Sequence, residues 1–307
     1  MEPPSEVLLA WVRRQLGTEV LVERGLRQGA SPWLLRRNDA ADPVVLKITA
    51  SDTPHAVQTE VAALAVAAAH GLPAPRLIAY DGTGTAAGSP ALLESLVRGA
   101  SRVPRFASTR RLRAAGAGLA ALHAVALRPS AWLPLRTRPI SASDFADDRR
   151  RTAMSSTPLL DTAADLIRTT PPPSGATVFV HGDMWHGNLL WHEERISGIV
   201  DWDMAGVGSA GIDVGAMRLD AALMYGVEAA QPVLEGWLEI RSTAGATPPT
   251  SSDIAYWDLL AAVNTPTDLA RFVDAFRDQG RPDLHADVLN GRRDALLRLA
   301  MEQAPRR

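Results

Sequence analysis

The sequence predicts an α+β protein in two lobes, a small antiparallel sheet carrying one helix followed by a mainly helical body. Three features predict it. Short β-like runs separated by Gly, Asn and Asp fall within residues 19–97, helical periodicity dominates beyond about residue 106, and strands and helices do not alternate as they would in a parallel sheet. The 307 residues suffice for two lobes, with 1–96 expected as the first and 97–307 as the second.

Residues 5–16 (SEVLLAWVRRQL) place apolar side chains at helical spacing, with Ser5 as the candidate cap. EVLVERGL, PWLLRR and PVVLKIT follow as three short strands of a meander within 19–50. The Ala-rich stretch 54–70 reads as a helix that Gly71 stops. PAPRLIAYD and PALLESLV supply two more strands, and 98–105 reads as a linker. Beyond it, helices are expected at 108–125, 158–168, 213–225, 231–241, 253–262, 266–279 and 283–302, interrupted by a β-like patch at 177–203.

Composition excludes several classes of function. No cysteine is present, which removes thiol nucleophiles, disulfides and thiolate metal sites. The formal net charge of −2 gives no basic field for nucleic acid. No apolar run reaches the roughly 18 residues of a membrane span. The N-terminus MEPPSEVLL is acidic, unlike the basic start of a signal peptide, so a cytoplasmic protein is expected. Of the 32 basic residues, 31 are arginine, and Lys47 is the sole lysine. A compact ammonium suits a phosphate in a narrow site. Charge is also uneven along the chain. Residues 1–151 carry 20 basic and 13 acidic side chains, whereas 211–290 carry 5 and 12. The acidic stretch reads first as solvated helix faces, with a surface for a cationic substrate as the functional alternative.

The densest polar cluster in an apolar context is VFVHGDMWHGNLLWHEERISGIVDWD, residues 178–203. Asp183 and Asn188 lie five residues apart in a loop punctuated by Gly182 and Gly187. A hairpin should follow, bringing Asn188 and Asp201 together at its ends. An amide carbonyl and a carboxylate are hard oxygen ligands that suit Mg²⁺ rather than zinc. Asp183 is then placed to orient a hydroxyl or accept its proton. His181, His186 and His192 lack the spacing of a zinc helix, and His181 is expected to brace the loop.

This segment resembles the catalytic core of the aminoglycoside phosphotransferase family, relatives of the protein kinases. The pattern reads His181-Gly182-Asp183, four residues, Asn188, then Ile199-Val200-Asp201. VVLKIT resembles the third strand of a kinase small lobe, which implies that Lys47 binds phosphate with Glu60 as its ion-pair partner. LLESLVRG resembles the adenine-binding hinge, with Glu94, Ser95 and Leu96 against the base. GVGSAGIDVGAM resembles the segment after the metal aspartate, with Asp213 structural. The family's frequent Asp-Pro is Ser209-Ala210 here. The loop around Gly25 to Ser31 lacks the protein-kinase G-x-G-x-x-G, and no P-loop motif occurs.

The resemblance implies a two-lobed protein-kinase-like fold, ATP and Mg²⁺ as cofactors, and transfer of the γ-phosphate to a hydroxyl of a small molecule. Aminoglycosides and related antibiotics come first as acceptors, and the acidic balance of 211–290 fits a cationic one. Homoserine, choline or sugar kinases are the metabolic alternative. A catalytically silent nucleotide-binding protein would have lost Lys47, the metal residues or Asp183, and this chain keeps them all.

Overall fold

The computed structural model describes residues 3–27, 30–49 and 55–304. It divides into two compact units, one of residues 1–99 with 197–203, the other of residues 100–196 with 204–307.

The first unit is built on five strands, β1 (Val20–Arg27), β2 (Ala30–Arg37), β3 (Val44–Ile48), β4 (Leu77–Asp81) and β5 (Ala91–Ser95). Their order is β1-β2-β3-β5-β4, antiparallel throughout. The expected strands are therefore present, but the last two are not added in chain order. Helix α2 (Ala56–Ala69) intervenes between β3 and β4, and β5 takes the place beside β3. Part of the expected nucleotide loop, residues 28–29, lies outside the described residues.

Period-2 alternation gives the sheet two distinct faces. On one, Trp33, Leu35, Val44, Leu46, Ala91 and Leu93 form a core with Leu8, Trp11 and Val12 of helix α1 (Glu6–Leu16). Ser5 caps α1 by accepting from Leu8 N–H, as its position suggests. The other face carries Val45 and Lys47 from β3, with Glu94 paired to Val45 and Leu92 to Lys47. Residues 197–203 return to this unit, where Ile199 N–H donates to Pro73 C=O at 2.6 Å and Trp202 is fully buried.

The second unit is mainly helical. Helix α6 (Gly211–Tyr225) is buried along almost its whole length, which explains its weak amphipathic pattern. Around it lie α3 (Thr109–Leu122), α7 (Ala230–Thr243), α8 (Ser251–Val263) and α10 (Ala286–Gln303), with α5 (Pro158–Thr169) against α8. The α3–α7 crossing depends on two glycines. A Cβ on Gly116 would sit 1.9 Å from Val233 C=O, and one on Gly236 would sit 2.0 Å from Arg113 C=O. The two backbones touch where side chains would hold them apart.

Three features depart from the expected elements. A short helix, α4 (Phe145–Arg150), forms between the helices expected at 108–125 and 158–168, and its Arg149 donates to the carbonyls of Val263 and Thr265 at the end of α8. The helix expected at 266–279 splits into a 3₁₀ turn (Leu269–Phe272) and α9 (Val273–Asp278), because Pro266 and the Asp268 cap delay its start. Strand β6 (Val178–Val180) pairs with β9 (Gly206–Gly208), a strand beyond the expected β-like patch. The hairpin within that patch is present as β7 (Leu189–His192) and β8 (Arg195–Ile199). No helix among the described residues is long and apolar enough to cross a membrane.

Gly236→Val should destabilise the protein by about 1–3 kcal/mol, the usual cost of overpacking a well-filled site. A urea titration would show it as a lowered midpoint, and an unchanged midpoint would deny the close crossing.

Candidate active site

The loop between β6 and β7 is held by α6. Asp213, fully buried in the first turn of that helix, accepts from His181 N–H at 2.8 Å and Gly182 N–H at 2.9 Å. His123 Nε2 lies 3.1 Å from the same carboxylate. Its other ring nitrogen, Nδ1, accepts from the Trp237 indole at 2.9 Å, so Nε2 carries the proton and donates to Asp213. Burial alone would raise the Asp213 pKa. The hydrogen bond from His123, aided by the loop amides, holds it below the ordinary carboxylate value instead.

Two turns further along α6, Asp220 accepts from His186 N–H at 2.8 Å and from His186 Nδ1 at 2.6 Å. Positions 213 and 220 are seven apart, hence on one helical face, and they secure the two ends of the loop. Gly182 makes the tight entry. Its φ is +82°, and a Cβ there would meet Met204 C=O at 2.1 Å. Between these anchors Asp183 N–H donates to His181 Nδ1 at 3.3 Å, so His181 braces the loop as expected. Asn188, fully buried, donates from Nδ2 to Asp183 C=O at 2.8 Å. This bond orients the amide and identifies Oδ1 as its ligand-capable atom.

Asp183 is half-buried and lines a cavity of about 300 Å³ inside the second unit. The walls include Met184, Trp185, Leu219, Leu223, Phe272 and Phe276.

The first unit holds the other candidate residues. Lys47 Nζ lies 2.7 Å from both carboxylate oxygens of Glu60 and 2.7 Å from Asp201 Oδ1. Glu60 sits on the buried face of α2 with Ala63, Leu64 and Ala67, which aims it at β3. Its Oε1 also accepts from Trp202 N–H at 3.3 Å, tying it to the segment that carries Asp201. Burial opposes the charge on Lys47, but Asp201 and Glu60 outweigh it and raise its pKa well above the ordinary value. Asp201 keeps about a third of its side-chain surface exposed, and its second oxygen lies 3.8 Å from Arg27. Its φ of +71° puts a non-glycine residue in the left-handed region, a strain that aspartate tolerates better than most.

The hinge residues lie at the end of β5. Glu94 stands in register between Val45 and Leu77, and Ser95 N–H donates to Arg76 C=O at 2.9 Å. Leu96 follows, partly buried. Glu94 thus presents a side chain to the Lys47 face of the sheet. Its carboxyl is buried, Oε2 has no hydrogen-bond partner among the described residues, and burial with the charge of Glu60 pushes its pKa up to about 8.

The structure therefore brings Lys47, Glu60 and Asp201 together in the first unit, with Glu94 on the same sheet face. Asp183 and Asn188 come together in the second. Sequence reading missed His123, Trp237 and Asp220. A signal existed for the last: Asp213 and Asp220 are a seven-spaced acidic pair in a helix whose one other charged residue is Arg218, GIDVGAMRLDAALMY. His123 and Trp237 had none, since their pairing joins positions 114 residues apart.

The sheet with its Lys–Glu–Asp cluster and the helical unit with its braced aspartate loop define a kinase-like α+β protein. A family model described as the phosphotransferase enzyme family matches residues 23–247, and the chain belongs to that family. No functionally curated protein matches the sequence. Among solved structures, a protein provisionally assigned as an aminoglycoside phosphotransferase from Ralstonia eutropha JMP134 is 17% identical, with a TM-score of 0.67 over 97% of this chain and 98% of that one. The macrolide 2′-phosphotransferase MphH from Brachybacterium faecium is 18% identical, with a TM-score of 0.59 over 93% and 98%. APH(2″)-IIa, solved in a ternary complex with streptomycin and ATP, is 14% identical, with a TM-score of 0.56 over 86% and 91%. At these identities the likeness is one of fold.

The buried Glu94 carboxyl keeps its proton to about pH 8 in the fold, against an ordinary 4.5. The folded form thus binds more protons than the unfolded one between those values, and stability falls as pH rises through that window. Glu94→Gln should remove this loss, so the variant's Tm advantage grows from about pH 5 to about pH 8. A difference that stays constant with pH would mean that Glu94 titrates normally.

Proposed function

We propose that this protein is an ATP-dependent O-phosphotransferase that moves the γ-phosphate to a hydroxyl of a small molecule of the antibiotic kind. The observation that carries the reading is the ion cluster of Lys47, Glu60 and Asp201. A sole lysine, buried and clamped by two acids, is arranged to stay charged and fixed in direction. That is what a group that binds the phosphates of a nucleotide needs. The family match and the ATP in the APH(2″)-IIa complex support the choice of nucleotide. A reaction that consumes ATP is one for the cytoplasm.

Lys47 would hold the α- and β-phosphates, with Glu60 keeping its ammonium in place. The adenine would lie against β5 near Glu94, Ser95 and Leu96. Asp201 and Asn188 would hold Mg²⁺. Their donor set fits, because Mg²⁺ usually takes one or two protein oxygens and completes its shell with phosphates and water. Among the described residues no three His, Asp or Glu side chains gather into a metal-binding cage, consistent with so sparse a site. Bound there, Mg²⁺ would neutralise charge on the phosphate oxygens during transfer.

Asp183 would orient the acceptor hydroxyl from the wall of the 300 Å³ cavity and take its proton late in the step. The bond from Asp183 N–H to His181 Nδ1, and those from the loop amides to Asp213, hold the backbone that carries the Asp183 carboxylate. Positioning and charge neutralisation supply most of the catalysis in phosphoryl transfer, so a short set of rigidly held groups is enough.

Asp183→Asn should lower kcat by about 10²–10⁴-fold while leaving ATP affinity intact. Coupled ADP release with an acceptor, together with nucleotide titration, measures both, and full activity in the variant would remove Asp183 from the reaction. Lys47→Ala should instead lower kcat/KM for ATP. An unchanged value would exclude Lys47 from the nucleotide site.

A further inference from the structure

The cavity beside Asp183 has a chemistry at odds with the acidic charge balance of 211–290. Of the twelve acids of that stretch one, Asp220, lines the cavity, and seven are paired or capping elsewhere. Asp253 and Asp268 cap helices. Glu235 pairs with Arg113, Asp258 with Arg218, Asp274 with Arg277 and Asp283 with Arg281. Asp213 is spent on the loop amides and His123. Two carboxylates line the cavity, Asp183 and Asp220, and Asp220 already accepts two bonds from His186.

The remaining lining is apolar and partly aromatic. Trp185 and Phe276 meet edge to face, with ring centroids 6.2 Å apart. Two further polar groups stand in this wall, Thr265, whose Oγ1 donates to Ala262 C=O at 2.7 Å, and Asn264. Asn264 is 4% exposed, and its Nδ2 donates to Pro139 C=O. That bond fixes the amide orientation and leaves Oδ1 buried, without a partner among the described residues. A buried acceptor without a donor is costly.

Resting on the phosphotransferase reading, we infer that the acceptor is a compact alcohol with an apolar, ring-sized skeleton, carrying at most one cationic group. A polyamine would bury several ammonium groups against walls that offer two carboxylates, one of them already bonded to His186, and low-dielectric surroundings penalise the unmatched charges heavily. A cavity of about 300 Å³ is at the small end for a ligand site, which suits a compact skeleton. Aromatic walls favour a flat or cyclic apolar body. The same features disfavour homoserine and sugars, whose several polar groups would find few partners in a largely apolar lining.

The test uses the full-length protein and two probes, 1-naphthalenemethanol as the apolar ring alcohol and kanamycin as the polycation, each titrated by calorimetry. The alcohol should bind at least tenfold more tightly than kanamycin. Ala216 lies in the cavity wall and is only partly buried, so a larger side chain there can be accommodated. Ala216→Asp should weaken the alcohol at least tenfold and narrow or reverse the preference. Ala216→Asn, matched in size, should retain the preference for the alcohol. Kanamycin binding as tightly as the alcohol, no detectable alcohol binding, or an Asp variant indistinguishable from the Asn variant would each overturn the inference. Mg-ATP titrated separately distinguishes the two readings. Tight ATP with a kanamycin preference sinks this inference alone, whereas alcohol binding without any ATP binding sinks the proposed function alone.

Discussion

The buried Asp213 carboxylate is the interaction on which the second unit's site depends. It accepts from two consecutive loop amides and from His123, so the chain between β6 and β7 has little freedom at its entry. A buried carboxylate is tolerable only when its lone pairs are satisfied, and here three donors satisfy it. Asp220 does the same for the loop's exit through His186. The rigidity of Asp183 is therefore borrowed from α6, and that of α6 from the helices packed around it. His123 extends the network to Trp237 on α7, across the glycine-lined crossing of α3 and α7.

The first unit solves a different electrostatic problem. Lys47 must stay charged although buried, and two acids 2.7 Å away ensure it. Glu60 is held from two sides, by Lys47 and by the Trp202 amide, while Asp201 stays partly exposed. An exposed, partly committed carboxylate next to a fixed ammonium can exchange partners when a cation or a phosphate arrives, whereas a fully buried one could not. Glu94 on the same sheet face adds a carboxyl that burial and neighbouring acids keep protonated near neutral pH. That face therefore carries less negative charge than its residue count suggests.

Much of this was legible in the sequence. Period-2 and helical spacing located five strands and most helices, since burial imposes those periods directly. Ser5 was legible as a cap because its oxygen competes locally for a helix amide. The His181–Asp201 segment stood out because polar residues in apolar surroundings need a reason. Less legible were α4, β9 and the split before α9. Each is short. The helix α4 and the strand β9 are stabilised by partners remote in the chain, as Arg149 is by carbonyls at the end of α8, and the split before α9 follows from Pro266 and the Asp268 cap. The acidic surplus of 211–290 suggested attraction for a cationic ligand, but count and sign alone do not say which acids face a cavity and which are paired.

By itself, the sequence determined the residue types and local spacing of the aspartate loop, the uniqueness of Lys47, and the succession of sheet and helices. These follow from short-range backbone geometry and hydrophobic period. Tertiary structure alone decided that β5 lies beside β3, that Lys47 meets an acid 154 residues away, and that Asp213 is a brace while Asp220 also lines a cavity. Those outcomes depend on which distant side chains share a buried volume, where desolvation makes each pairing decisive, and no local pattern encodes that choice.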